Sequence, residues 1–414
     1  DVTVPSLVIA GWADGYRNTP LKAIEGIGDT AKALIGPWVH KYPHFAWPRP
    51  RVDFHAEAIA WWKHWLEDGD TGAENLPQMR AYIIDGARPL LRREVDPGFW
   101  VAKQRWETPQ NDLYGVSAGG ALAPGEENEG TGLHFLRSPL DTGTASGDWF
   151  TTAPGPELAG DQRIDNGGSL CFETAPLEEE AVYLGMPELV LDVRCSADWE
   201  NLAARIIDVH PDGTETRVCY GVLNLAHRNG NAAPEAMPHD EPTRIRMQLD
   251  NMGYRFGPGH RIKIALSTSY WPLILPSPDA PGLMIDTGSL RLSMPLLGAH
   301  ERITLPEPAN PDPLPKYDMP SPAQSRREVV RDLIAGVTHY RLQEDTGAEV
   351  HPVHGLQMQE IRDEDWSISP DDPQSMRADI KWTTIQSRPG WEAVTKITST
   401  LSCTRDQWLV SARV

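Results

Sequence analysis

Two rhythms of apolar residues divide the chain. "SLVIAG" (6–11) and "AKALIG" (31–36) are nearly unbroken apolar runs, of the length of strands buried on both faces. Between them "NTPLKAIEG" (18–26) carries helix punctuation, with Thr19 as a cap, Pro20 at the first helical position and Gly26 near the stop. In "VDFHAEAIAWWKHWLEDG" (52–69), Phe54, Ala58, Ile59, Trp62, Trp65 and Leu66 recur at helical spacing and predict one apolar face. The cluster of tryptophans at 61–65 reads as core packing. Strand, helix, strand, helix is the order of a parallel sheet with covering helices.

From about residue 76 the rhythm shortens. "QMRAYIID", "SLCFET", "ELVLDVRCS", "NLAARIIDVHPDGT", "TRVCYGVLNL", "TRIRMQLDN" and "HRIKIALSTS" are short alternating or apolar runs separated by turn residues. "HPDGT" (210–214) predicts a hairpin, because Asp-Gly suits a tight turn. Many short strands and few helices predict a β-sandwich of jelly-roll type over 76–302. A Pro-rich stretch at 303–324 reads as an extended linker. Strand patterns return over 325–414 and predict a further antiparallel β-domain.

Composition narrows the possible functions. The 414 residues are 40% apolar, enough for more than one core. A net charge of −20 argues against a nucleic-acid surface, which needs cations to neutralise phosphates. No apolar run approaches the ~18 residues of a membrane helix. The four cysteines, Cys171, Cys195, Cys219 and Cys403, form no Cys-x-x-Cys pair, so neither a zinc ribbon nor a redox motif is expected. They read as reduced and mostly buried, with a disulfide at Cys171 or Cys195 left open. The first residue is Asp, and "DQWLVSARV" stops inside a strand pattern. Both ends read as cut, the chain as a fragment, and the cellular compartment stays open.

Two residues carry the candidate chemistry. Asp14 follows the first predicted strand in "VIAGWADGY", and His40 follows the second in "LIGPWVHKYPH". If the strands are parallel, both loops lie at the carboxyl edge of the sheet, where open α/β sheets place ligands. An acid and a histidine so placed can form the orienting half of a Ser-His-Asp triad. The chain order of α/β-hydrolases, Ser then acid then His, accommodates them. A hydrogen bond of roughly 2.6–3.2 Å between the two side chains is the geometric expectation. Glu25 and Asp29 are rival acids, but they lie on the helix and its following turn. His40 and His44 are four apart, but Pro43 breaks the helix that would set them on one face as metal ligands, so no metal is expected.

At these residues the chain resembles the CocE/NonD hydrolase family, which includes relatives of cocaine esterase and X-Pro dipeptidyl-peptidase. "GWADGY" and "GPWVH" look like that family's acid and histidine segments, and "AIAWWKHWLEDGDTG" like the segment after the histidine. "DVHPDGTETRV" and "GVLNLAHR" resemble its jelly-roll domain, and the last hundred residues an extra β-domain of some members. The resemblance implies an α/β-hydrolase C-terminal fragment over 1–75, followed by the jelly roll. It implies Asp14 and His40 as catalytic acid and base, Tyr16 as a substrate-binding residue of the acyl pocket, and Trp12 and Trp38 as packing. It implies no cofactor. The partners would be a small ester or peptide substrate and the missing N-terminal half of the same protein. The nucleophilic serine and oxyanion hole would lie in that half, so this chain alone is expected to be inactive.

"GVSAG" (115–119) also satisfies G-x-S-x-G. It lacks the buried strand before and the helix after that a nucleophile elbow requires, and it would give the order Asp, His, Ser. A β-turn is the better reading of Ser117. The alternative from another class is a non-catalytic jelly-roll binding module or an inactive relic, since this architecture also serves lectins.

Overall fold

A computed structural model describes residues 2–125, 130, 132–152, 157–308 and 317–414. The protein is mostly β, with several sheets and few helices. β1 (Ser6–Gly11) and β2 (Ala31–Gly36) pair in parallel, with Gly11 opposite Gly36. β3 (Met79–Asp85) continues the parallel order beside β2. Further along, the same edge of β3 pairs in parallel with the strand Met252–Phe256. One seven-stranded mixed sheet therefore takes strands from both sides of residue 76.

Helix α1 (Thr19–Ile27) connects β1 to β2 and buries Pro20, Leu21 and Ile24. Its cap position is Asn18 rather than Thr19, and the helix ends at Gly28, whose φ of 86° favours glycine. Helix α2 (Phe54–Glu67) starts at Asp53, whose carboxylate accepts from Ala56 N at 3.1 Å.

The expected apolar face of α2 needs correction. Ile59, Trp62, Trp65 and Leu66 are exposed, and Trp61 is the buried residue of the helix. The inward side carries Glu57 instead, which takes both Arg80 Nη atoms from β3 at 2.7 and 2.9 Å. Periodicity locates an apolar stripe but not what covers it.

Two further sheets are antiparallel. One contains Thr243–Gln248, Glu188–Arg194, Leu283–Pro295, Asn111–Val116 and Leu122–Pro124 in that order, with Leu133–Leu136 paired to the long third strand. The other contains Glu215–Asn224, Asn201–Val209, Arg261–Ser267 and Leu170–Glu173. "HPDGT" joins two of its strands as an antiparallel hairpin, with Gly213 at φ 83°. Leu189, Leu191, Ile206, Ile245, Ile264 and Leu292 share one core drawn from both sheets. The strands from Gln324–Asp332 to Trp408–Arg413 form a separate seven-stranded antiparallel sheet. It docks on the rest through Ile368 and Met376, which pack with Leu140, Trp271 and Ala280. Part of the Pro-rich stretch, 309–316, lies outside the described residues.

All four cysteines are free, with Cys195 and Cys219 buried and Cys171 and Cys403 half-buried. Burial pushes the Cys219 thiol well up, so it is held neutral.

Candidate active site

Because Gly11 and Gly36 are in register, the loops after β1 and β2 leave the sheet side by side. They zip together further: Trp12 N donates to Gly36 O at 2.9 Å and Ala13 N to Trp38 O at 3.0 Å. A Cβ on Gly11 would lie 1.9 Å from Trp38 O, so the approach needs a residue without a side chain. Trp38 is buried and donates Nε1 to Pro50 O at 2.7 Å. Trp12 Nε1 donates to Tyr82 O at 2.6 Å, which ties the acid loop to β3.

This frame brings Asp14 to His40. Asp14 Oδ2 is 3.0 Å from His40 Nδ1, and Asp14 Oδ1 accepts from Tyr16 N at 2.9 Å. The Asp14 side chain is 8% exposed and the His40 ring 45% exposed, so the acid is enclosed while the imidazole opens to solvent. His40 Nε2 has no hydrogen-bond partner among the described residues. With Nδ1–H donating to the carboxylate, Nε2 presents a lone pair that can take a proton.

Arg17 holds the acid loop from below. Its Nε donates to Asp14 O at 2.6 Å and its Nη1 to Asp250 Oδ2 at 2.7 Å. Asn18 Nδ2 donates to Asp250 Oδ1 at 2.8 Å, and Asn251 N donates back to Asn18 Oδ1 at 2.8 Å. The acid is thereby anchored to the turn between Thr243–Gln248 and Met252–Phe256. Arg17, Asp250, Arg217 and Tyr220 line a small, partly open cavity of about 80 Å³ next to the loop.

An aromatic loop from the β-rich part closes one side. Thr151 O accepts from His40 N at 2.9 Å, and the Phe150 ring lies 4.4 Å from the His40 ring. Tyr16, more than half exposed, has its ring 5.7 Å from both His40 and Phe150. Asp14, His40 and Tyr16 are thus brought together. The Trp149–Thr151 contact escaped sequence reasoning, since nothing in "DWFTT" distinguishes it from other loops.

The rival residues are elsewhere. Asp29 pairs with Arg105 at 2.8 Å and Glu25 accepts from Trp106 Nε1 at 3.1 Å, at the amino end of β2. Ser117 sits in the tight turn after Asn111–Val116, where its N donates to Ala121 O at 2.8 Å and its hydroxyl accepts from Ala121 N at 3.1 Å. His44 packs on His55 at 4.1 Å between ring centres.

Another cluster, Asp208, His210 and His260, has metal-ligand chemistry. Asp208 already accepts from His260 Nδ1 at 2.7 Å and Tyr254 OH at 2.8 Å, and His210 Nε2 lies 2.9 Å from Thr216 Oγ1. Burial pushes His210 towards its neutral form and the Tyr254 phenol well up. The set reads as a buried carboxylate satisfied by hydrogen bonds.

Residues 71–307, over half of the chain, match the family described as X-Pro dipeptidyl-peptidase C-terminal non-catalytic domain. The chain belongs to this family. Cocaine esterase of Rhodococcus sp. is 24% identical over 299 residues, covering 66% of this chain and 50% of that protein. An aminopeptidase structure from a marine-sediment Thaumarchaeota archaeon matches with a TM-score of 0.59 at 18% identity, covering 73% of this chain and 55% of that one. A CocE/NonD family hydrolase structure from Staphylococcus aureus matches with a TM-score of 0.50 at 13% identity, covering 71% and 54%. The chain spans about half the length of the curated relatives it matches. Beyond the matched family, the chain is similar to cocaine esterase and to the CocE/NonD family structure over about half the length of each.

Proposed function

We propose that the chain supplies the acid and base of a serine hydrolase triad. The observation that carries this is the Asp14–His40 hydrogen bond, formed where adjacent parallel strands end, with Nε2 facing outward from the pair. In this reading 1–75 is the end of an α/β-hydrolase domain, 76–302 a jelly roll that also lends strands to the first sheet, and 325–414 a third unit beyond the 303–324 linker. The nucleophile is a serine outside these 414 residues.

The chemistry follows from the tautomer. His40 Nε2 takes the serine proton as the hydroxyl oxygen attacks an ester or amide carbonyl, and Asp14 stabilises the imidazolium. His40 then returns the proton to the leaving group, and the acyl-serine is cleaved by water activated in the same way. Backbone donors outside this chain hold the tetrahedral oxyanion. Tyr16 forms part of the wall around the acyl group, and the jelly roll adds Phe150.

The test is ester hydrolysis by the longer protein that contains this chain. His40→Ala and Asp14→Asn should abolish most turnover, while Ser117→Ala should leave it intact. Unchanged turnover in His40→Ala would refute the proposal.

A further inference from the structure

The aromatic loop beside His40 is held by three parts of the molecule. Its base is closed by Asp148 N donating to Glu157 O at 2.8 Å and Thr152 N to Glu157 Oε2 at 2.9 Å. Its tip is held by the first sheet, through Thr151 O on His40 N and Trp149 O on Arg17 Nη2 at 3.3 Å. The third hold comes from the C-terminal sheet. Arg327, on the strand Gln324–Asp332, donates Nη1 and Nη2 to the two carboxylate oxygens of Asp148 at 2.6 and 2.7 Å.

This ion pair is a bidentate charged link between the C-terminal sheet and the rest, beside the buried hydrogen bond from Thr338 Oγ1 to Asp141 Oδ2 at 2.7 Å. The Arg327 side chain is 7% exposed, and the pair is bidentate, which fixes direction as well as distance. Arg405–Asp279, another contact from the same sheet, is 70% and 36% exposed and imposes far less. Asp148 stands two residues before Phe150, whose ring packs on the imidazole. Phe150 also packs closely on Gly15, where a Cβ would lie 2.6 Å from the ring. Asp148 is thus the near end of a short segment that carries Phe150 to the imidazole.

We propose that Arg327 is a positioning residue: the C-terminal sheet, through Arg327 and Asp148, sets the loop that packs Phe150 against His40 and walls the acyl site. The inference rests on the triad reading for its catalytic consequence but not for its geometry. The sheet over 317–414 then belongs to the working enzyme rather than being an appendage. Burial alone disfavours a charged Arg327, but Asp148 outweighs it and holds the guanidinium charged.

The geometric arm uses the 414-residue chain itself. Phe150 close to the imidazole should shift the His40 Cε1–H NMR signal by its ring current, and Phe150→Leu defines the value without it. Arg327→Met and Asp148→Asn should each move the signal most of the way to that value. Arg327→Lys should recover part of the shift, and Arg405→Met should leave it at the wild-type position. The catalytic arm uses the longer protein. There Arg327→Met should raise KM for an aryl ester by about tenfold, and at most ~10²-fold in kcat/KM, with the pH profile of the histidine unchanged. An unmoved His40 signal in folded Arg327→Met and Asp148→Asn overturns the proposal. If Arg327→Met fails to fold, Asp148→Asn alone decides. An inactive wild-type longer protein sinks the triad reading and leaves the NMR result standing.

Discussion

Arg17 joins Asp14 to Asp250, bonding the backbone carbonyl of one with Nε at 2.6 Å and the carboxylate of the other with Nη1 at 2.7 Å. The acid of the candidate site is thus fastened to a turn of the β-rich part more than two hundred residues away in sequence. Two regions that look like separate rhythms in the sequence meet under one carboxylate.

That link predicts a stability effect. Arg17 is 8% exposed and Asp250 20%, so Arg17→Met removes the ion-pair partner of a largely enclosed carboxylate, leaving it Asn18 and the nearby Arg217. Removing one partner of such a pair costs roughly 3–5 kcal/mol. Urea unfolding should show a loss of this size, and the Asp250→Asn, Arg17→Met double variant should recover part of it. Equal midpoints for wild type and Arg17→Met would contradict the anchoring role.

Gly11 gives a second, more local prediction. Gly11→Ala places a methyl 1.9 Å from the carbonyl oxygen of Trp38, and backbone cannot move aside cheaply. The cost should be at the upper end of the roughly 1–3 kcal/mol typical of overpacking, or above it. The acid and histidine loops should part with it, read as loss of the downfield NMR proton expected of His40 Nδ1–H on Asp14. Gly26→Ala, where a Cβ meets nothing within 4 Å, should be tolerated.

Much of this frame was legible in the sequence. The runs 6–11 and 31–36 are β1 and β2 to the residue, with β2 largely buried and β1, at the sheet edge, half-buried over its first four residues. Parallel order put the Asp14 and His40 loops on one sheet edge, and the resemblance of "GWADGY" and "GPWVH" to the CocE/NonD family paired the two residues. What lay beyond reach depended on partners distant in the chain. The strand Met252–Phe256 joins the first sheet beside β3, and no local pattern in "MGYRF" announces that neighbour. The apolar face expected on α2 was not the buried one: Trp62, Trp65 and Leu66 are exposed, while Trp61 is buried and Glu57 bonds Arg80 of β3. The loop at Trp149–Thr151 reaches His40 through backbone contacts, which carry no residue signature.

A third prediction concerns pH. Glu200 is buried, accepts from Asn201 N at 2.9 Å and Gly282 N at 2.8 Å, and burial pushes its carboxyl up to about 7 from 4.5. The folded state therefore keeps its proton over a range where the unfolded chain loses it. Fewer protons bound when unfolded means that stability falls as pH rises from about 4.5 to about 7. The loss from this one group is on the order of 3 kcal/mol. Urea midpoints should drop across that window in wild type relative to Glu200→Gln, which cannot ionise. Parallel curves for the two proteins would contradict the raised carboxyl.

The central claim is that His40 and Asp14 serve a serine that this chain does not contain, and fluorophosphonate labelling tests it most directly, because the reagent reports an activated serine. The longer protein should label stoichiometrically at one serine outside these 414 residues. His40→Ala should abolish labelling, and Asp14→Asn should slow it by about 10⁴-fold, the scale lost when a triad histidine sits in the wrong tautomer. The 414-residue chain alone should not label. Stoichiometric labelling of that chain, lost on Ser117→Ala, would contradict the account and make the turn at Ser117 the nucleophile.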